Sequence, residues 1–200
     1  MSIGFLMSRR HRLFIAVELS PEVTTHAARV IARLQATQIQ AKWVEPGRMH
    51  LTMQFLGDVD ELEIPTVCRV MDETGAEMEP FDVEIGGAGA FPNLDAPRTL
   101  WLGIRRGGED LIELHDRLDA RLRPLGFRSE DRRFRPHLTI GRLRENEPTA
   151  LTALAAELGQ LTDLHAGVVD VCDFALFVST PKAEGSGYEV LHTADFNGRS

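Results

Sequence analysis

The strongest constraint on the fold of this chain is an internal repeat. His50-Leu51-Thr52-Met53 and His137-Leu138-Thr139-Ile140 are near copies of one string, 87 residues apart. With seven His and thirteen Thr in 200 residues, a single His-x-Thr is expected about half a time by chance. A matched pair sharing the same intervening Leu is a different matter. On a strand, side chains alternate between faces, so each copy places His and Thr on one side and two apolar residues on the other. One face is available for chemistry while the other packs.

The surroundings repeat as well. Leu13-Phe14-Ile15-Ala16-Val17 and Leu100-Trp101-Leu102-Gly103-Ile104 read as strands, and Leu13 and Leu100 each stand 37 residues before their histidine. After the first, Ser20 predicts a helix cap with Pro21 at the first position, followed by Val23, Ala27, Val30, Ile31 and Leu34 at helical spacing. Leu111, Ile112, Leu114, Leu118 and Leu122 repeat that pattern in the second half, ending near Pro124 and Gly126. Helices are predicted again from about Asp60 and Glu147, and strands at Phe81–Ile85 and Val168–Val171. Each half thus reads strand, helix, His-x-Thr strand, helix, strand. This predicts an α+β fold of two pseudo-twofold-related lobes, each a mainly antiparallel sheet with outer helices, flanking a central cleft that holds both histidines. Residues 1–200 form one bilobal domain on this reading, with repeat halves at 12–87 and 99–178 and a C-terminal strand-loop-strand at 168–196.

Several segments carry narrower expectations. Ala16 and Gly103 match in spacing and predict close ligand approach, while Phe14 and Trp101 on the same faces are read as core aromatics. Gly86–Pro92 lacks the Gly-Lys-Ser/Thr ending of a phosphate loop and is read as the connection between lobes. Ser179–Gly187 is read as a surface loop, with Tyr188 starting the last strand. Cys68 and Cys172, far apart and without metal spacing, are expected to be small buried residues. His11, His26, His115, His165 and His192 show no metal-ligand spacing, so neither metal nor cofactor is expected.

The net charge of −8 excludes a globally basic nucleic-acid coat. Locally, Arg128–Arg144 carries six Arg against Glu130 and Asp131, which predicts a basic mouth for a phosphate-bearing ligand around the second motif. The apolar stretch Ile3–Met7 is too short for a signal core, and no segment has transmembrane length, so a cytoplasmic protein without membrane contact is expected. Two histidines and two hydroxyls suit in-line displacement at phosphorus: a base takes the proton of the attacking oxygen and an acid protonates the departing one. An unperturbed pKa of about 6.5 lets imidazole fill either role. Thr52 and Thr139 would donate to nonbridging phosphoryl oxygens. The residues alone leave open which histidine is the acid.

These strings resemble the 2H phosphoesterases, and within them the bacterial RNA 2′,3′-cyclic phosphodiesterases, also called 2′-5′ RNA ligase-like proteins. The resemblance is carried by Arg12-Leu13-Phe14-Ile15-Ala16, Trp43-Val44, His50-Leu51-Thr52-Met53-Gln54-Phe55-Leu56-Gly57, Trp101-Leu102-Gly103, Phe134-Arg135-Pro136-His137-Leu138-Thr139-Ile140, and Ser179 through Gly185 to Tyr188. It implies that His50 is the proton donor and His137 the proton acceptor. Thr52, Thr139, Arg135, Phe134 and Tyr188 would contact the substrate, with no metal or cofactor. The implied substrate is RNA with a 2′,3′-cyclic phosphate terminus, opened to a 2′-phosphomonoester. The reverse reaction with a ribose 5′-hydroxyl would give 2′-5′ ligation. Alternatives are a small cyclic nucleotide, a 2′-5′ oligonucleotide, or a non-catalytic module binding RNA ends. A monomer without an obligate protein partner is expected. Arg48 replaces the common Asn before the first motif, and Thr99 the common Val before Trp101, which bears on substrate detail.

Overall fold

The computed structural model describes residues 9–127, 133–145, 147–182 and 185–198. Nine strands and four helices follow in the order β1 (Arg10–Val17), α1 (Pro21–Gln35), β2 (Ala41–Trp43), β3 (Leu51–Asp60), α2 (Ile64–Gly75), β4 (Phe81–Phe91), β5 (Thr99–Arg106), α3 (Gly108–Leu122), β6 (Leu138–Leu143), α4 (Pro148–Gln160), β7 (His165–Val171), β8 (Asp173–Lys182) and β9 (Gly185–Asp195) among the described residues. The predicted Ser20 cap forms, and a second cap accompanies it. The Ser20 hydroxyl accepts from the Val23 backbone N–H at 3.3 Å with Pro21 in the first turn, and Asp60 and Glu63 make a reciprocal capping box ahead of α2.

The strands build two antiparallel sheets, one in the order β3-β1-β8-β9 and the other β2-β6-β5-β4-β7. The two-lobed α+β architecture is as expected, but each sheet draws strands from both halves of the chain. β4 from the first half lies beside β5, and β8 from the second lies beside β1. The helices cross over in the same way. α1 leaves β1 to pack on β7, where His26 Nδ1 bonds the Ala166 carbonyl at 2.8 Å, and α3 leaves β5 to pack on β3, where His115 Nδ1 bonds the Met53 carbonyl at 2.8 Å. One core therefore runs through both lobes, from Leu13, Ile15, Leu51 and Met53 to Leu100, Leu102, Leu138 and Ile140. Each fully buried Leu in it contributes about 1.5–3 kcal/mol.

Three sequence expectations need correction. Gly86–Phe91 is not the lobe connection but half of β4, paired along β5, with Gly86 also paired to β7; a bulge between Gly86 and Ala88 is opened by Gly87 at φ +66°. Gly89 is required because a Cβ there would collide with the Trp101 ring, so the glycines mask a strand signal by making room for an indole. The turn into β5 comes later, where the Arg98 N–H bonds the Phe91 carbonyl at 2.7 Å. Segment 179–187 is mostly strand too: β8 runs to Lys182 and β9 starts at Gly185, which leaves Tyr188 inside β9. Cys172 is exposed, and Cys68 is half-buried, packed against the edge of the core.

Both motif strands carry a bulge at the same place. Ala16 pairs with Thr52 and Ile15 with Gln54, so the ladder skips Met53; Trp101 pairs with Thr139 and Leu100 with Gly141, so it skips Ile140. Cross-strand partners share a face. Beyond each bulge the alternation is inverted, and Phe55 and Arg142, each five residues after its histidine, join the face that carries His and Thr. The register also corrects the match between Ala16 and Gly103. Trp101, not Gly103, stands opposite Thr139 as Ala16 stands opposite Thr52.

Candidate active site

Both histidines stand at the start of their motif strand, His50 just before β3 and His137 just before β6, and these strands approach each other where the sheets meet. Leu51 and Leu138, fully buried, anchor the opposite face. His50, His137, Thr52 and Thr139 are all half-buried, on the face turned from the main core.

The two imidazoles are held alike. His50 Nδ1 lies 2.8 Å from the Arg48 carbonyl and His137 Nδ1 lies 2.7 Å from the Arg135 carbonyl, in both cases two residues upstream. A carbonyl only accepts, so Nδ1 carries the proton, and the neutral ring keeps its lone pair on Nε2. Each Nε2 is therefore a base when bare and an acid when protonated, without rotation of the ring. Burial pushes both pKa values below the usual 6.5, against a smaller upward pull from the backbone bond. The positive charge of Arg142 lowers His137 further.

Aromatic rings surround the two histidines differently. Phe14 stacks on His50 with centroids 4.8 Å apart and Phe177 lies 6.2 Å away, while Tyr188 meets His50 edge-on at 5.4 Å. Phe14, Ala16, Ala175 and Phe177 form a small buried cluster separate from the main core, so Phe14 is a buried packing aromatic as expected, but on the face that carries His50 and Thr52. On the other side Phe91 meets His137 edge-on at 5.0 Å and packs on Trp101 at 5.2 Å.

The structure brings His50, Thr52 and Tyr188 together in one lobe and His137 with Thr139 in the other. Arg135 contributes its carbonyl to His137 while its side chain is exposed. Phe134 stacks on His115 of α3 at 4.1 Å and 10°, which commits its ring to packing. Of the basic stretch, residues 128–132 lie outside the described residues; Arg133, Arg135, Arg142 and Arg144 are exposed. Phe91 and the Arg48 carbonyl are site groups that no sequence signal marks, Phe14 reads from the sequence as packing, and Arg142 enters there only as one of the six Arg of the basic stretch. The bulge explains Arg142, because strict alternation assigns it to the face of Ile140. Among the described residues no group of three or more His, Cys, Asp or Glu is placed to hold a metal ion, and no helix is long and apolar enough to cross a membrane.

Similar proteins share both the fold and the sequence. The model of the 2′-5′ RNA ligase superfamily matches residues 21–180. The RNA 2′,3′-cyclic phosphodiesterase of Methanothermobacter thermautotrophicus is 36% identical over 165 residues, covering 82% of this chain and 88% of the relative. That of Thermotoga maritima is 32% identical over 187 residues, covering 94% and 96%. The crystal structure of TT0787 of Thermus thermophilus superposes with a TM-score of 0.79 at 26% identity, over 94% of this chain and all of that one. Escherichia coli LigT complexed with NADP+ shares the fold at a TM-score of 0.73 and 24% identity, over 94% and 99% of the two chains. With a family model spanning four-fifths of its length and relatives matched nearly end to end, the chain belongs to the 2′-5′ RNA ligase superfamily of 2H phosphoesterases.

Proposed function

We propose that the protein is an RNA 2′,3′-cyclic phosphodiesterase that acts in the cytoplasm and uses His50 as general acid and His137 as general base. The observation that carries this reading is the matched pair of Nδ1-anchored imidazoles, each with Nε2 free for proton transfer and each next to a threonine on the same strand face. Water attacks phosphorus and gives its proton to Nε2 of His137; the P–O3′ bond breaks, and Nε2 of protonated His50 gives its proton to O3′. The products are a 2′-phosphomonoester and a free 3′-hydroxyl, and exchange with solvent resets both rings. Thr52 and Thr139 donate to the nonbridging oxygens as charge develops there. With a ribose 5′-hydroxyl in place of water, the same transfers yield a 2′-5′ linkage.

The asymmetry between the halves supports the direction of proton flow. Arg142 disfavours protonation of His137, which suits a base, whereas the stacked Phe14 face favours a cation at His50, which suits an acid. A bound phosphoryl anion raises both pKa values, opposing the effect of burial. The side chains supply every proton transfer, so turnover is expected to persist in EDTA. The test is hydrolysis of an RNA 2′,3′-cyclic end by wild type, His50→Ala and His137→Ala. Each variant is expected to lose about 10²–10⁴-fold. Undiminished turnover in either variant overturns the assignment, and loss of wild-type activity in EDTA overturns the metal-independent mechanism.

A further inference from the structure

The face that carries Thr139 extends past the second motif to the edge of its sheet. In register across it lie Phe91, Thr99, Arg142 and Lys42, one each from β4, β5, β6 and β2. Two contacts tie this row to the second histidine, since the Phe91 ring meets His137 edge-on at 5.0 Å and the charge of Arg142 lowers its pKa. Lys42 stands one strand further out, a spacing of about 4.8 Å. Its backbone is fixed there. The Trp43 ring covers Gly141, where a Cβ would come within 2.9 Å of it, and the Val44 N–H donates to the Ile140 carbonyl at 3.0 Å.

Elsewhere on the same sheet cations are neutralised, Arg105 beside Glu84 and Arg106 beside Asp82. Lys42 and Arg142, both exposed, have no carboxylate partner among the described residues, although the chain carries a net charge of −8. Like charges directly opposite on neighbouring strands destabilise a sheet, and an anion seated on both removes that cost. The direction of the reaction says which anion. In-line attack brings the incoming oxygen in beside the base, so on the proposed mechanism the nucleophile enters on the His137 side and O3′ departs on the His50 side. When the nucleophile is the 5′-hydroxyl of a second RNA strand, the P–O5′ bond forms as P–O3′ breaks. The hydroxyl proton passes to Nε2 of His137, and O3′ takes the proton of His50. The remainder of that strand then leads away from His137, over the face that ends in Arg142 and Lys42.

We propose that Lys42, with Arg142 beside it, holds the first internucleotide phosphate of the strand that supplies the 5′-hydroxyl, which makes Lys42 a determinant of ligation relative to hydrolysis. This rests on the phosphodiesterase reading and adds a site for the second substrate to it. The experiment joins a 5′-phosphorylated oligoadenylate ending in a 2′,3′-cyclic phosphate to either of two acceptors, the dinucleoside monophosphate ApA or adenosine. Hydrolysis of the same end is recorded in parallel, for wild type, Lys42→Ala and Lys42→Arg. The ApA-to-adenosine ratio of joining rates is expected to fall roughly 3- to 10-fold in Lys42→Ala and to be retained in Lys42→Arg. The slope of log joining rate against log salt with ApA should become shallower by about 0.7 in Lys42→Ala. An unchanged ratio leaves the lysine as a guard on an edge strand and overturns the proposal, as does equal loss with both acceptors and in hydrolysis. A wild type that hydrolyses the end but joins neither acceptor overturns the second-strand site while leaving the phosphodiesterase reading intact. A wild type that does neither overturns both.

Discussion

His115→Phe should destabilise the protein and weaken its active site, although the residue lies on a helix of the other half. His115 is 8% exposed, and its Nδ1 donates to the Met53 carbonyl at 2.8 Å, at the bulge that follows Thr52. The opposite side of its ring system is occupied by Phe134, stacked at 4.1 Å, three residues before His137. One side chain thus ties the bulge of the first motif to the approach of the second. Phenylalanine preserves the stack and the volume but leaves the carbonyl without its donor, which costs about 1–3 kcal/mol. For a chain of this size that lowers Tm by about 2–12 °C. His115→Ala also loses the ring and leaves a cavity, adding about 2 kcal/mol more. Urea unfolding with Cm and m measured separately should show a lower Cm at unchanged m, in the order wild type, Phe, Ala, and kcat/KM on a cyclic phosphate should fall in the same order. A Phe variant as stable and as active as wild type would refute the reasoning.

Other outcomes follow from the site. Because burial lowers both His50 and His137 below 6.5, the unfolded chain binds more protons between those lowered values and about 6.5. Their contribution to stability is complete above about pH 6.5 and is lost as pH falls through that window; the double variant His50→Gln/His137→Gln should show a smaller drop in Cm between pH 7.5 and 5.5 than wild type. Arg142→Gln removes a charge that lowers His137, so the acid limb of the kcat/KM profile should move to higher pH; movement of the alkaline limb instead would make His137 the acid. Gly89→Val sets a side chain against the Trp101 ring, and thermal unfolding should register a loss of about 1–3 kcal/mol along with a changed indole fluorescence.

Much of the site is legible in the sequence because chemistry and periodicity coincide there. His50, Thr52, His137 and Thr139 are set by two short strings, and Leu51 and Leu138 between them are the buried anchors that alternation predicts. α1 is equally direct, with its Ser20 cap, Pro21 and five buried residues at the predicted positions. Legibility ends where one residue interrupts the period. The bulges at Met53 and Ile140 exchange the faces of the residues that follow, which moves Gln54 to the side of Ile15 and brings Phe55 and Arg142 onto the side of the motif threonines, until a second irregularity at Leu56 restores the alternation of β3. No local signal marks either bulge. β4 is hidden for a related reason, since Gly86, Gly87 and Gly89 imitate a loop while accommodating backbone and indole from neighbouring elements. The crossing of strands and helices between sheets is a long-range pairing, and the repeat itself is compatible with either arrangement.

The central claim is that the two His-x-Thr strings are halves of one phosphate site. Imidazole resonances of His50 and His137, assigned by substitution and followed by NMR through a pH titration with and without the product analogue adenosine 2′-monophosphate, test it most directly. One anion between the rings should raise both pKa values together at a single saturating affinity, and the Nδ1-protonated tautomer should be present in both free histidines. A response confined to one histidine, or two responses with different affinities, would contradict it.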